Sequence, residues 1–184
     1  MGRIIKLGIT LGIFCVLSAG LLAWVFLMTT PVIEANAKAS FEGSLREVLP
    51  GAKTFKDVSV KGAKSQIYEG YADGKPVGLA VKVAPRGYAG EIEMLVGVDP
   101  ELRVKGMKIL SQRETPGLGT NMLKPKFIAQ FIGKGVKDVL EPKKDIDALT
   151  GATISTRGVC EGVKAVLKDA EQYGICFPGK AGSY

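Results

Sequence analysis

The sequence predicts an α+β protein: an N-terminal transmembrane helix, then one domain with a mostly antiparallel sheet and flanking helices. Three observations carry this. Leu7–Met28 is a charge-free run of 22 residues. From Lys53 to Arg113 short alternating apolar segments are separated by turn residues. After Ser155, apolar residues recur at Val159, Val163, Val166, Leu167 and Ala170, the spacing of one helix face. Strands grouped together with helices at their ends describe α+β architecture. At 184 residues, the chain has room for one modest core beside an anchor.

Residues 1–6 carry Arg3 and Lys6, and the first charge after the apolar run is Glu34. A helix over residues 7–28 covers about 33 Å, which matches a hydrocarbon core of ~30 Å. The positive-inside rule places the N-terminus in the cytoplasm and everything beyond Met28 outside. Trp24 lies near the outer end of the run, where an indole suits the interface. The competing reading is a cleaved signal peptide, with Ala35-Asn36-Ala37 as its small-residue site. The run is longer than the roughly 7–15 apolar residues of such peptides, which favours a retained single-pass anchor in the cell (inner) membrane.

Residues 29–51 read as a juxtamembrane helix that lifts the domain off the bilayer. Thr30 is placed to cap it with Pro31 at its first position. Phe41, Leu45, Val48 and Leu49 give it one apolar side, and Pro50-Gly51 ends it. The folded domain is expected over 52–175, with a loose tail over 176–184. Its strands are expected at Thr54–Val58, Gln66–Ala72, Val77–Val83, Ile92–Val98 and Val104–Ser111. Asp73-Gly74-Lys75-Pro76 reads as a tight hairpin turn. Short turns between consecutive strands imply antiparallel pairing. The loop Glu114–Thr120 contains Pro116-Gly117-Leu118-Gly119, a rigid-then-flexible turn. A helix over Lys124–Phe131, a short strand over Val136–Leu140 and a helix over Ser155–Gln172 follow.

The net charge is +7. It is dispersed, without a basic helix or interleaved aromatics, so a solvated surface explains it and nucleic-acid binding does not. The surface permits attraction to acidic lipid headgroups. The three cysteines are Cys15, Cys160 and Cys176, and there is no histidine. Without CxxC or a Cys/His pair, zinc and haem signatures are missing. An extracytoplasmic Cys160–Cys176 disulfide is permitted by compartment, and buried thiols are the plainer reading.

The chain is organised around Asp147-Ala148-Leu149-Thr150-Gly151-Ala152-Thr153-Ile154-Ser155-Thr156-Arg157. A helix begins at its end, with Ser155 or Thr156 as the capping residue. The first turn of a helix holds unpaired N–H donors and partial positive charge, which suits a phosphate. Gly151 and Ala152 allow close approach of a ligand to the backbone. Arg157 offers a planar cation that forks onto phosphate oxygens. Together these residues describe an anion site with a hydroxyl beside it, or else an ordinary capped helix after a turn. The segment is not a P-loop, because it lacks the Gly-Lys-Ser/Thr ending.

Asp147-Ala148-Leu149-Thr150-Gly151-Ala152-Thr153 resembles the flavinylation motif of the FMN-binding domain family, in which FMN is joined through its phosphate to the last threonine, here Thr153. Gly87–Asp99 and Lys108–Gly119 resemble two further stretches of that family. With the N-terminal membrane segment, the pattern is similar to the G subunits of Rnf-type electron-transport complexes. The C subunits of sodium-pumping NADH:quinone reductases are near relatives. The resemblance runs over about residues 1–175. One departure is Gln112, where members of the family often carry histidine.

The resemblance implies a membrane-anchored flavoprotein with covalent FMN, held through a phosphoester. Such a protein passes electrons within a translocase coupling ferredoxin and NAD to ion movement, and is not a complete enzyme alone. It implies a cofactor site of Thr153, Thr150, Gly151, Ala152, Ser155 and Arg157, with Glu114, Thr115, Gly117, Leu118 and Gly119 lying against the flavin. Implied partners are the other membrane subunits and a flavin transferase for maturation. A domain that holds FMN non-covalently, a C subunit of a sodium-pumping NADH:quinone reductase, and a structural accessory are the alternatives. Asp147 either binds a metal during attachment or fixes the turn before the motif.

Overall fold

The computed structural model describes residues 2–59 and 65–172. The chain divides into two units, the first through Glu42 and the second from Gly43. The first is one long helix: α1 spans Gly2–Val48, its last turns lying in the second unit. Its most apolar 18-residue window has a mean hydropathy of 2.4, and side chains such as Leu22 (74% exposed) and Leu27 (71%) face outward. An apolar helix whose side chains are not buried in protein has the character of a membrane span.

The break expected at Thr30 does not occur, and Pro31 lies inside α1. The Thr30 hydroxyl donates backward to the Phe26 carbonyl at 2.7 Å, and Thr29 donates to the Val25 carbonyl at 2.9 Å. Hydroxyls engaged in this way extend the preceding turn and do not cap a new one.

The second unit is a five-stranded antiparallel meander in the order β1 to β5. The strands are β1 (Thr54–Asp57), β2 (Gln66–Ala72), β3 (Lys75–Val83), β4 (Glu93–Val98) and β5 (Val104–Ser111). The β2–β3 turn has positive φ at Asp73 (49°) and Gly74 (78°), the backbone that a two-residue hairpin of this twist requires. β4 is buried along nearly its whole length, because both faces of the sheet are covered. On one face, α3 (Thr153–Gln172) sets Val159, Val163, Val166 and Leu167 against Leu79, Val81, Met94, Val96 and Met107. Phe127 and Phe131 join this core edge to face, with centroids 5.4 Å apart.

The other face is a trough. Gly97 pairs with Gly106 across β4–β5, and the missing side chains let the Val48 backbone rest on the sheet. A Cβ on Gly97 would lie 2.7 Å from the Val48 carbonyl carbon, and one on Gly106 at 2.7 Å from its Cα. Leu45, Val48 and Leu49 are thereby at most 3% exposed.

The stretch between β5 and α3 departs from expectation. Lys124–Phe131 is not one helix but α2 (Pro125–Ile128) between two 3-10 turns, Gly119–Leu123 and Ala129–Phe131. Val136–Leu140 is not a strand. The Asp138 carboxylate accepts the Gly135 N–H at 2.7 Å, and Leu140 has φ of 47°, so carboxylate-capped turns replace an extended run. Cys176 and the expected tail lie outside the described residues.

Candidate functional site

The site lies where three segments meet at the start of α3: the β3–β4 loop, the loop after β5 and the Thr150–Ser155 stretch. α3 has Gly158 and Gly162 on the face toward the β3–β4 loop. A Cβ on Gly162 would come within 2.7 Å of the Pro85 ring. Small residues there let the loop pack close to the helix and bring Tyr88 beside its first turn.

Between these segments is a cavity of about 540 Å³, within the ~300–1,000 Å³ of small-molecule sites. Its walls include Glu114, Thr115, Leu118 and Gly119 from one loop, and Gly151, Ala152, Thr153 and Ser155 from the motif. Eight of the residues singled out from sequence thus share one cavity. Gly117 does not line it. It holds the loop's tip at φ of 79°, donating its N–H to Thr120 Oγ1 at 2.9 Å and accepting from Asn121 Nδ2 at 2.7 Å.

Thr150 and Arg157 face elsewhere. Thr150 lines a neighbouring hollow of about 270 Å³ with Asp147, Asn121 and Lys124. Arg157 borders another, about 470 Å³, with Lys143, Lys164 and Glu141. Thr153 belongs to both the central cavity and the Arg157 hollow. Thr153 therefore stands at the junction between an apolar-walled cavity and a hollow lined by Arg157, Lys143 and Lys164 together with Glu141 and Glu161.

Two residues of the wall were not in the sequence-derived set: Tyr88 and Ile154. With Leu118 they leave apolar surface at the cavity, Tyr88 being 70%, Ile154 53% and Leu118 44% exposed. Their sequence signal is an aromatic beside Gly87 in a loop and an apolar residue off the core face of α3.

The helix begins at Thr153, two residues before its expected start. Gly151, at φ of 74°, makes the turn into it, a conformation for which an unbranched backbone is suited. The first intrahelical bond is Thr156 N–H to the Ala152 carbonyl at 3.0 Å. The amides of Thr153, Ile154 and Ser155 precede it and have no intrahelical acceptor. All three residues line the cavity, so donor groups and the positive end of the dipole border it.

Neither expected capping residue caps α3 as predicted. Ser155 donates its hydroxyl to Glu114 Oε2 at 2.8 Å. Thr156, fully buried, donates to the Ala152 carbonyl at 2.9 Å and accepts the Leu149 N–H at 3.1 Å. Thr156 thus staples the whole Leu149–Ala152 turn. Ahead of the motif, the Asp145 carboxylate accepts the Leu140 and Glu141 N–H groups at 2.9 and 2.8 Å. Against the opposing effect of burial, its largest single influence, those backbone bonds and Lys134 hold the Asp145 carboxyl below its usual range. Cys160, on the core face of α3, has its thiol pushed up to about 12, first by burial and then by Asp145.

Residues 87–168 match the family described as FMN-binding domain, and residues 1–48 match the RnfG N-terminal region. The G subunit of the proton-translocating ferredoxin:NAD(+) oxidoreductase complex of Clostridium ljungdahlii is 32% identical, over 89% of each chain. The G subunit of the Na(+)-translocating ferredoxin:NAD(+) oxidoreductase complex of Acetobacterium woodii is 31% identical over 90% of each. The corresponding protein of the ion-translocating oxidoreductase complex of Shewanella oneidensis is 31% identical, over 89% of this chain and 87% of that one. Among solved structures, Shewanella oneidensis NqrC aligns with a TM-score of 0.48 at 22% identity, over 64% of this chain and 66% of that one.

Proposed function

Since the chain belongs to the family of Rnf-complex G subunits, we propose that it holds FMN through a phosphoester on Thr153 and passes electrons between other subunits of a membrane complex. The observation that carries this reading is the position of Thr153: it lines an apolar-walled cavity at the first turn of α3. When bound, FMN supplies the redox chemistry, and the protein's part is to bind, orient and tune it.

The residues fit such a group. The amides of Thr153, Ile154 and Ser155 suit phosphate oxygens, and Arg157 offers a cation from the adjoining hollow. Tyr88, Leu118 and Ile154 offer apolar surface for a planar ring. Gly151 keeps that wall low, since a Cβ there would lie 3.0 Å from Leu118 Cδ2. A covalent tether keeps one cofactor in place through many turnovers, as a relay needs. A separate flavin transferase makes the bond, since no stretch of this sequence resembles one.

The apolar part of α1 anchors the protein as a single pass, with Arg3 and Lys6 in the cytoplasm and the FMN domain outside. Gly8 and Gly12, four apart on α1, permit close packing by a helix of another subunit. The deciding experiment expresses the full chain with a flavin transferase and reads in-gel flavin fluorescence after denaturation. Wild type and Thr153→Ser carry flavin on the chain, and Thr153→Ala carries none. Colour released on denaturing the wild type supports the non-covalent alternative. An FMN mass on the Thr150 or Ser155 peptide overturns the site assignment.

A further inference from the structure

Glu114 is the charged side chain in the buried class among the described residues, at 6% exposure. Its Oε1 accepts the Tyr88 and Ala89 N–H groups at 2.8 and 3.2 Å, and its Oε2 accepts the Ser155 hydroxyl at 2.8 Å. These donors come from the β3–β4 loop and from the first turn of α3, while Glu114 itself lies on the loop after β5. One carboxylate therefore joins all three walls of the cavity that it also lines. The backbone closes around it: a Cβ on Gly119 would lie 2.6 Å from the Glu114 Cβ.

A glutamine has the same shape and meets two amides and a hydroxyl without a buried charge to desolvate. No cation is among the three donors. Latching the loops thus accounts for the shape of this residue and leaves its carboxylate charge free for another role. In a site of low dielectric, a fixed negative charge acts strongly on whatever the cavity holds.

We propose that Glu114 is a positioning residue with two effects: it latches the three walls of the FMN site, and its buried charge holds the flavin's midpoint potential down. The second effect follows from sign, since reduction adds electron density beside a fixed anion. This rests on the FMN reading above.

The test uses the full chain loaded with flavin by co-expressed transferase, in detergent. Midpoint potentials are measured by equilibrium titration against a redox dye for wild type, Glu114→Gln and Ser155→Ala. Glu114→Gln keeps its in-gel flavin and shifts the reduced-to-oxidised ratio at fixed potential about tenfold toward reduced, about 30 mV upward for a two-electron couple. Ser155→Ala leaves the charge but removes a donor that shields it, so its potential moves the opposite way. An unchanged potential in flavin-loaded Glu114→Gln overturns the proposal. If Glu114→Gln fails to fold, Ser155→Ala decides: a downward shift supports the proposal, and no shift or an upward one overturns it. Wild type without flavin takes both readings down, whereas flavin on wild type with flat potentials removes only this one.

Discussion

Thr156 offers a sharp test of how the motif turn is held. Its hydroxyl makes two hydrogen bonds, 3.1 Å from the Leu149 amide and 2.9 Å to the Ala152 carbonyl, and the residue is fully buried. Thr156→Val preserves the volume and deletes both bonds. Two bonds at about 1 kcal/mol each, plus partial desolvation of the half-buried Leu149 amide, give roughly 2–3 kcal/mol of destabilisation. Thr156→Ser keeps both bonds and deletes one methyl, costing about 1 kcal/mol in a core that relaxes partly. Thermal unfolding of the full chain in detergent checks the ranking. For a protein of this size the valine variant melts about 5–10 °C below wild type and the serine variant about 2–4 °C below. Covalent flavin yield follows the same order, because Gly151-Ala152-Thr153 lies directly on the stapled turn. A serine variant less stable than the valine variant would show that packing holds the turn, and the hydrogen-bond argument would fail.

Gly97→Ala drives a methyl into the Val48 backbone, which cannot rotate away; a loss of roughly 1–3 kcal/mol in denaturant unfolding is expected, while Glu47→Ala, breaking an exposed ion pair to Lys108, stays within about 0.5 kcal/mol. Cys160 resists alkylation at pH 8 in the folded protein and reacts on unfolding, as peptide mass mapping will read. Because its folded pKa is raised from about 9 to about 12, its contribution to stability is complete below pH 9 and declines as pH rises through that window; a rise in stability there would contradict the burial argument. Protease added to intact spheroplasts cleaves beyond about Thr30, and full protection would place the domain in the cytoplasm. Thr150→Ala, in the neighbouring hollow, lowers flavin yield without moving the FMN mass from the Thr153 peptide.

Local chemistry made much of this protein legible in its sequence. Alternation and turn residues identify the five strands, with β2 and β5 matching their expected ends. Asp73-Gly74 specifies its hairpin because few other pairs adopt positive φ twice. The loop Glu114–Gly119 and the motif at Gly151–Ser155 read as separate turns with ligand-compatible chemistry, and nine of their residues do share one cavity. What sequence periodicity does not contain is distance between segments remote in the chain. The Ser155–Glu114 bond spans 41 positions, and it exists because α3 packs across the sheet with glycines toward the β3–β4 loop. That packing took Ser155 away from capping, added Tyr88 and Ile154 to the wall, and turned Thr150 and Arg157 toward other hollows. It likewise decided that Val136–Leu140 would be a loop, held by the Asp138 carboxylate on the Gly135 N–H and the Asp145 carboxylate on the Leu140 N–H. Thr30 likewise does not start a new helix before Pro31: the Thr29 and Thr30 hydroxyls turn back to the Val25 and Phe26 carbonyls, which a pattern of apolar residues does not report.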